Sequence, residues 1–350
     1  MKEYDHKSKV SFWQDLKSHL SFLFSYQDID EHFVIKFFGI KFCKKHKLDY
    51  KFIPVTEYGL TKEKRTPKLI VSLTTFPARI NVVHKTISTL LEQTLNPDIV
   101  VLWLAESQFP SKELPKSLTD LEQFGLTIKW CEDIKSFKKL IPSLIEYPDD
   151  IIITVDDDNY YDKNLIERLY EEYLNRPDCI HARQAFVLKL DKKNNELFMQ
   201  ARNYTYNSTY LPSFWNEPVG CGGVLYPPHC LHENVLNKEQ FTKEMPTHDD
   251  LWFWGHAIRN NTKINVIKGN YKLKNLVIDG SQEDSLWQKN MINSTSTVGM
   301  TGRQALNKVC CLFPEIREKL EGEKRGCKGF YNSACLQCGK IFEKMFGFFS

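Results

Sequence analysis

The 350-residue sequence lacks the features of membrane-spanning, secreted and nucleic-acid-binding proteins. No apolar run approaches the roughly 18 to 20 residues that a membrane-spanning helix needs. No secretion signal begins the chain, so we expect its ten cysteines to lie in a reducing compartment. Basic and acidic residues are nearly balanced, at 47 and 44, which argues against nucleic acid as the main partner. With 42% hydrophobic residues and no repeat or low-complexity tract, the chain is expected to be globular.

The cysteines form no paired metal-binding motif. Cys310 and Cys311 are adjacent, which is a poor disulfide framework. Cys327, Cys335 and Cys338 contain a single Cys-x-x-Cys, and three thiols bind zinc only if a fourth ligand is nearby. A zinc site in the C-terminal region is therefore left open.

Both ends of the chain are amphipathic and basic. Apolar residues recur at helical spacing over residues 12–23, and residues 33–47 mix aromatic residues with five lysines. Residues 340–349 carry several phenylalanines beside two lysines. Such segments either rest on an anionic membrane surface or fold back on the core, and the sequence leaves both interpretations open.

Strand and helix patterns alternate through the middle of the chain. Strands are predicted at residues 68–74, 99–104, 126–130 and 151–155, and helices at residues 84–95, 114–124, 136–146 and 163–174. This alternation predicts βαβ units with right-handed crossovers, hence an α/β fold with a mainly parallel sheet. Beyond residue 174 the pattern is more antiparallel, with strands at residues 180–190 and 197–206 around a turn at residues 191–195. A further helix is predicted at residues 251–259.

Three consecutive carboxylates, Asp156, Asp157 and Asp158, follow the apolar strand at residues 151–155. The carboxyl ends of buried parallel strands are where open α/β sheets bind ligands. Because adjacent like charges repel, a divalent metal carrying phosphates is an economical explanation. Helix capping explains the triplet less well, since Asp162 stands before the next helix and can cap it. A solvated acidic turn and a phosphohydrolase with an aspartyl nucleophile both remain open.

A second acidic pair, Asp249 and Asp250, precedes the helix predicted at residues 251–259. The partial positive charge of a helix N-terminus stabilises a carboxylate, so one of the two acids can cap the helix. The other is then free to act as a base. Gly222 and Gly223 lie between the two acidic groups in the sequence. They bring the backbone close to a ligand or simply form a turn.

Taken in this order, these motifs resemble the GT-A type nucleotide-sugar glycosyltransferases, and most closely a bacterial group that builds capsule and lipopolysaccharide. The matching segments are residues 72–80, 140–142, 151–158, 222–228 and 249–254. The resemblance implies a Rossmann-like GT-A fold, with helices on both faces of a mainly parallel sheet. The amphipathic appendages at both termini depart from a simple catalytic domain of this type. The chain is expected to divide into a basic amphipathic N-terminal region (residues 1–66), a glycosyltransferase domain (67–275) and a helical, cysteine-containing extension (276–350), with the charged, proline-ended segment at residues 61–67 as the entry linker.

The resemblance also implies an activity and a site. A hexosyl group would pass from a UDP- or GDP-sugar to a glycan or lipid-linked acceptor, in a metal-dependent reaction in the cytoplasm, peripherally on the inner membrane. Nucleotide contacts would come from Thr74, Thr75, Pro77, Arg79, Asp133, Lys138, Lys139, Asp156 and Asp157. Mn²⁺ or Mg²⁺ would be held by Asp156 and Asp158, the base would be Asp249 or Asp250, and acceptor contacts would come from Gly222, Gly223, Trp215 and Trp252.

Two alternatives to the glycosyltransferase interpretation remain. The Asp156 and Asp158 carboxylates also suit a haloacid-type phosphohydrolase or a nucleotidyltransferase. A non-catalytic carbohydrate-binding protein with the same fold is the other alternative.

Overall fold

The structure is a computed structural model, which describes residues 24–29, 32–37, 40–45, 54–199, 211–267, 276–281 and 300–323. The chain divides into two units, Met1–Phe52 and Ile53–Ser350. The first unit contains an antiparallel sheet of three consecutive strands, β1 (Phe24–Ile29), β2 (His32–Phe37) and β3 (Ile40–Lys45). The predicted amphipathic segments at residues 12–23 and 340–349, and the tail cysteines, lie outside the described residues.

The second unit is built on a seven-stranded sheet. Its strands are β4 (Leu69–Thr74), β5 (Ile99–Ala105), β6 (Leu126–Cys131), β7 (Ile151–Thr154), β9 (Ile180–Ala182), β13 (Val224–Tyr226) and β14 (Ile264–Val266). Their order across the sheet is β14-β9-β13-β7-β4-β5-β6. Strands β4 to β7 pair in parallel, whereas β13 runs antiparallel to both of its neighbours. The predicted α/β fold with a mainly parallel sheet is confirmed.

Two smaller sheets flank this one. Strand β8 (Asn159–Tyr160) pairs with β15 (Leu276–Val277), and β10 (Ala185–Asp191) pairs with β11 (Glu196–Met199) and β12 (Asn216–Pro218). Both sheets are antiparallel. The predicted change of pairing after residue 174 is therefore observed.

Helices cover both faces of the large sheet. They are α1 (Val83–Leu91), α2 (Lys116–Thr119), α3 (Ile141–Glu146), α4 (Leu165–Asn175), α5 (Lys238–Glu244), α6 (Asp249–Arg259) and α7 (Gly302–Leu312). Successive side chains of a strand point to opposite faces, so Leu69 and Val71 join the core under α1 and α4, while Ile70 joins the core under α6 and α7. In the described part of the chain, no helix has the length and apolar character to cross a membrane.

Several predicted boundaries differ from those observed. The helix predicted at residues 136–146 is a 3₁₀ helix over Lys135–Lys139 followed by α3, because Pro142 lacks an amide hydrogen and sits at a helix start. The helix predicted at residues 114–124 shrinks to α2 and a 3₁₀ turn, which ends at Gly125 in a left-handed conformation.

The capping role predicted for Asp162 is wrong. Helix α4 begins at Leu165 with Asn164 at its N-cap, and no side chain caps it. Asp162 instead forms an ion pair with Arg183 at 2.9 Å. A buried arginine is a stronger partner for a carboxylate than a helix amide.

Candidate functional site

The three consecutive aspartates lie at the carboxyl end of β7, beside the end of β4. The amide of Val155 donates to the carbonyl oxygen of Ser72, which keeps the two strand ends together. Thr75 follows β4 at the same edge and donates to the Asp157 carboxylate at 2.5 Å. The triplet thus occupies the edge at which open α/β sheets bind ligands.

Arg79 joins two of the three aspartates. Its Nη1 atom lies 2.6 Å from Asp157 and 2.9 Å from Asp158, and its Nε atom donates to the carbonyl oxygen of Ser281. Burial raises the pKa of Asp157 although the nearby guanidinium and the Thr75 hydroxyl oppose the shift. The repulsion predicted within the triplet is therefore relieved in part by a side chain of the protein itself.

Lys139 connects the triplet to the second acidic pair. Its ammonium group lies 3.3 Å from Asp156, 2.8 Å from Asp249 and 3.2 Å from Asp250, and its side chain is only 7% exposed. Burial opposes the charged form, but the three carboxylates outweigh it and raise the pKa of Lys139 well above its usual value. The side-chain hydroxyl of Ser72 on β4 donates to the Lys139 carbonyl, which anchors this residue to the sheet. Two acidic groups that are far apart in sequence therefore share one cation.

The two acids at the start of α6 have different environments. Asp249 accepts from the Ser136 hydroxyl at 2.8 Å, and although burial favours its neutral form, the contacts with Lys139 and Ser136 lower its pKa. Asp250 accepts from the amide of Gly220 at 3.0 Å. Burial, together with Asp249 and Asp156, raises the pKa of Asp250 to about 6 despite the opposing effect of Lys139. A carboxylate with a pKa near neutrality suits general-base chemistry.

Gly220 is the glycine that the acidic pair requires. A Cβ atom there would lie 2.6 Å from both Asp250 Oδ1 and Lys139 Nζ. Gly222 and Gly223 pack instead against Gln184 and Leu165, and Gly223 has a φ of +92° that favours glycine. Acceptor contacts were predicted at Gly222 and Gly223 but not at Gly220, although the same glycine-rich segment contains all three.

Trp252 does not lie in the site, so its predicted acceptor contact is wrong. It is fully buried, packs beside His256 and Phe313, and donates its indole hydrogen to the Val235 carbonyl. Helical spacing identifies an apolar side of α6, but does not say whether that side meets a cleft or the core. Trp215 is half-buried and donates to the carbonyl oxygen of Leu320.

The other predicted nucleotide contacts lie along the same edge of the sheet. Lys138 is buried and its ammonium group contacts Asp133 at 3.0 Å, so it is not solvated. Asp133 also accepts from Gln108 and from the Lys135 amide. Thr74 donates to a backbone carbonyl of β5 at 2.8 Å. Pro77, three residues later, is exposed.

The two predicted metal ligands, Asp156 and Asp158, differ in exposure and in the contacts that they already make. Asp156 is 32% exposed and meets Lys139 through its Oδ1 atom alone. Asp158 is buried and its two oxygens already accept from Asn159 and Arg79. Among the described residues, no group of three or more His, Cys, Asp and Glu side chains is placed to hold a metal ion. Asp156 fits a metal that takes its other ligands from phosphates and water, and Asp158 fits only if Arg79 releases it.

Glu217 on β12 is an acidic residue of this region that the sequence analysis missed. It is 3% exposed, and its Oε2 atom is buried without a hydrogen-bond partner. Burial, and then Asp250 and Asp249, raise the pKa of Glu217 well above its usual value. No local sequence pattern marks this residue.

Comparison with known proteins adds little. No family model matches the chain, and no curated protein matches it. One solved structure that resembles part of it is residues 1–349 of TarS from S. aureus, which is 14% identical over 58% of either chain with a TM-score of 0.40. Another is CMP:2-keto-3-deoxy-manno-octonic acid synthetase in complex with CTP, which is 12% identical over 60% of this chain and 93% of that one, with a TM-score of 0.36. The match covers less than two thirds of the TarS chain, and neither likeness assigns an activity to this protein.

Proposed function

We propose that the protein is a glycosyltransferase that moves a sugar from a nucleoside diphosphate donor to a glycan or lipid-linked acceptor. One observation supports this most strongly. The ammonium group of Lys139 lies 3.3 Å from Asp156, which stands at the ligand-binding edge of the parallel sheet. The same ammonium group contacts Asp249 and Asp250. A donor-binding acid and a candidate base thus face one small volume, as transfer between two bound substrates requires.

The donor would bind at the edge formed by the ends of β4, β6 and β7. Arg79 and Lys139 supply positive charge for a diphosphate, and Asp133 supplies carboxylate oxygens for the ribose or the base. Asp156 would hold Mn²⁺ or Mg²⁺ together with the phosphates. When bound, the metal would stabilise the charge of the departing nucleoside diphosphate.

The acceptor would bind on the side of α6. Asp250, which has a raised pKa, would remove the proton of the attacking hydroxyl, while the anomeric carbon passes through an oxocarbenium-like state. The Asp249 carboxylate, with its lowered pKa, stays ionised and holds Lys139 in place. The pKa values of the two adjacent acids are pushed apart, which is the pattern expected when one is the base and the other a fixed charge.

The proposed setting is surface polysaccharide synthesis at the cytoplasmic face of a bacterial inner membrane. The sequence of residues 33–47 mixes aromatic residues with five lysines, a composition suited to an anionic membrane surface. Binding to vesicles with and without an anionic lipid tests this part of the proposal. Equal binding to both would contradict it.

Transfer itself is tested by incubating the protein with a panel of UDP- and GDP-hexoses and simple glycosides, with Mn²⁺ or with chelator. We expect release of nucleoside diphosphate to depend on one donor and on an added glycoside. The Asp156→Asn variant should lose donor binding, whereas Asp250→Asn should keep it and lose transfer. Full activity in both variants would contradict the site assignment, and hydrolysis of a phosphate ester without sugar transfer would favour a phosphohydrolase.

A further inference from the structure

Glu217 is a buried acid on β12. In the part of the chain that the structure describes, no hydrogen bond reaches its buried Oε2 atom. A buried carboxyl group that makes no hydrogen bond is costly, by about 1–3 kcal/mol even when it is uncharged. Such a group is a candidate for binding something that enters the site.

Its position in the fold places it next to the acidic pair. Glu217 is the central residue of β12, paired with Phe186 of β10, and β12 packs against α6. Three residues later, the amide of Gly220 donates to Asp250 at 3.0 Å. Strand β12 and the following turn therefore adjoin the acidic pair, and Glu217 lies on the strand that leads to Gly220.

The charges around Glu217 favour its uncharged form. The groups that act on it are Asp250 and Asp249, both acidic, and the cation of the pair, Lys139, already serves three carboxylates. A fourth ionised carboxylate would have no cation within this group. Burial and these two acids raise the pKa of Glu217 well above its usual value.

We propose that Glu217 is an acceptor-binding residue, whose carboxyl group donates a hydrogen bond to an oxygen of the acceptor sugar beside Asp250. The assignment rests on the glycosyltransferase function proposed above. In this arrangement Asp250 accepts a proton from the attacking hydroxyl, while Glu217 donates to an oxygen and keeps its own proton. Asp250 would thus accept a hydrogen bond from the acceptor sugar, and Glu217 would donate one to it.

Two substitutions separate this role from a charged one. Glu217→Gln keeps a donor and the shape of the side chain without a charge, whereas Glu217→Met keeps the shape and removes the donor. With methyl glycosides of common hexoses as acceptors, we expect Glu217→Gln to retain transfer within about three-fold. Glu217→Met should raise the KM for the glycoside or lower kcat/KM by about ten-fold, the loss of one hydrogen bond. Neither variant should change the affinity for UDP or GDP.

An infrared difference spectrum between the wild-type protein and Glu217→Gln at pH 7 tests the protonation state without any activity. We expect the carbonyl band of a protonated carboxyl group, present in the wild type and absent from the variant. The absence of this band would overturn the proposal. So would a Glu217→Gln variant whose transfer is as impaired as that of Glu217→Met, and so would transfer at the wild-type level by both variants. No transfer by the wild-type protein from any donor would instead contradict the proposed function, and with it the acceptor-binding role. Melting temperatures of both variants control for folding.

Discussion

Replacing Lys139 with methionine should destabilise the protein in a pH-dependent way. The ammonium group is 7% exposed and contacts three carboxylates, of which Asp249 is 9% exposed and Asp156 and Asp250 are each 32% exposed. Removing one partner of a buried ion pair costs about 3–5 kcal/mol. Because solvent screens two of the three carboxylates, we expect the lower end, about 3 kcal/mol at pH 7.

The sign of the pH dependence follows from Asp249. Its pKa is lowered in the folded protein, because Lys139 and Ser136 outweigh the effect of burial. A lowered pKa contributes stability above the unfolded-state pKa, and this contribution is lost as the pH falls through the folded-state value. Lys139→Met lacks most of this contribution at every pH. The difference in unfolding free energy between Lys139→Met and the wild type should therefore shrink below about pH 4, where the wild type loses this contribution.

Urea unfolding followed by tryptophan fluorescence at several pH values measures this difference. Lys116→Met is the matched control, because Lys116 is 84% exposed in its ion pair with Asp120. Its substitution should change the unfolding free energy by less than about 0.5 kcal/mol. A Lys139→Met variant as stable as the wild type at pH 7, or a deficit that grows as the pH falls, would refute the reasoning.

Three further predictions concern the same site. The transfer rate should fall below about pH 6 as Asp250 is protonated, since its pKa is raised to about 6, and a pH–rate profile without this acidic limb would argue against Asp250 as the base. Arg79→Met should cost about 3 kcal/mol of stability and weaken UDP or GDP binding, because Asp157 loses its buried partner; urea unfolding and calorimetry measure both, and unchanged values would contradict the assignment. Gly220→Ala should reduce transfer by about ten-fold, because its methyl group would lie 2.6 Å from Asp250 Oδ1 and from Lys139 Nζ and would displace both groups. Gly322→Ala, with no atom within 4 Å of the added methyl group, is the control, and equal activity in both variants would count against the role of Gly220.

The fold was largely predictable because buried strands carry their signal locally. The run at residues 151–155 is apolar and β-branched, and β7 is buried throughout, as such a run in a parallel sheet requires. Boundaries near Pro142 and Gly125 were less accurate, since 3₁₀ turns and short helices have no strong periodicity.

The site was only partly predictable, because its contacts are long-range. Site roles were predicted for Asp156, Asp249 and Asp250, but the cation that joins them is Lys139, 111 positions before Asp250. No spacing rule relates such residues. Glu217 has no local signal at all, since its environment is created by the packing of β12 against α6.

Trp252 shows the opposite error. Its place beside two aspartates favoured an acceptor contact, yet the residue is fully buried. Helix α6 begins with Asp249 and Asp250 at the site, and the residues that follow, 251–258, are buried in the core. Adjacent residues of this helix therefore have unrelated roles. Sequence proximity to a catalytic motif is therefore weak evidence for a site residue.

The central claim, a nucleotide-sugar site at Asp156, Arg79 and Lys139, is tested most directly by isothermal titration with UDP and with GDP, each with Mn²⁺ and with excess chelator. We expect one of the two nucleotides to bind, more tightly with Mn²⁺, and the binding to be lost in Asp156→Asn while the variant remains folded. Failure of the folded wild-type protein to bind either nucleotide, or binding that Asp156→Asn leaves unchanged, would contradict the proposed site.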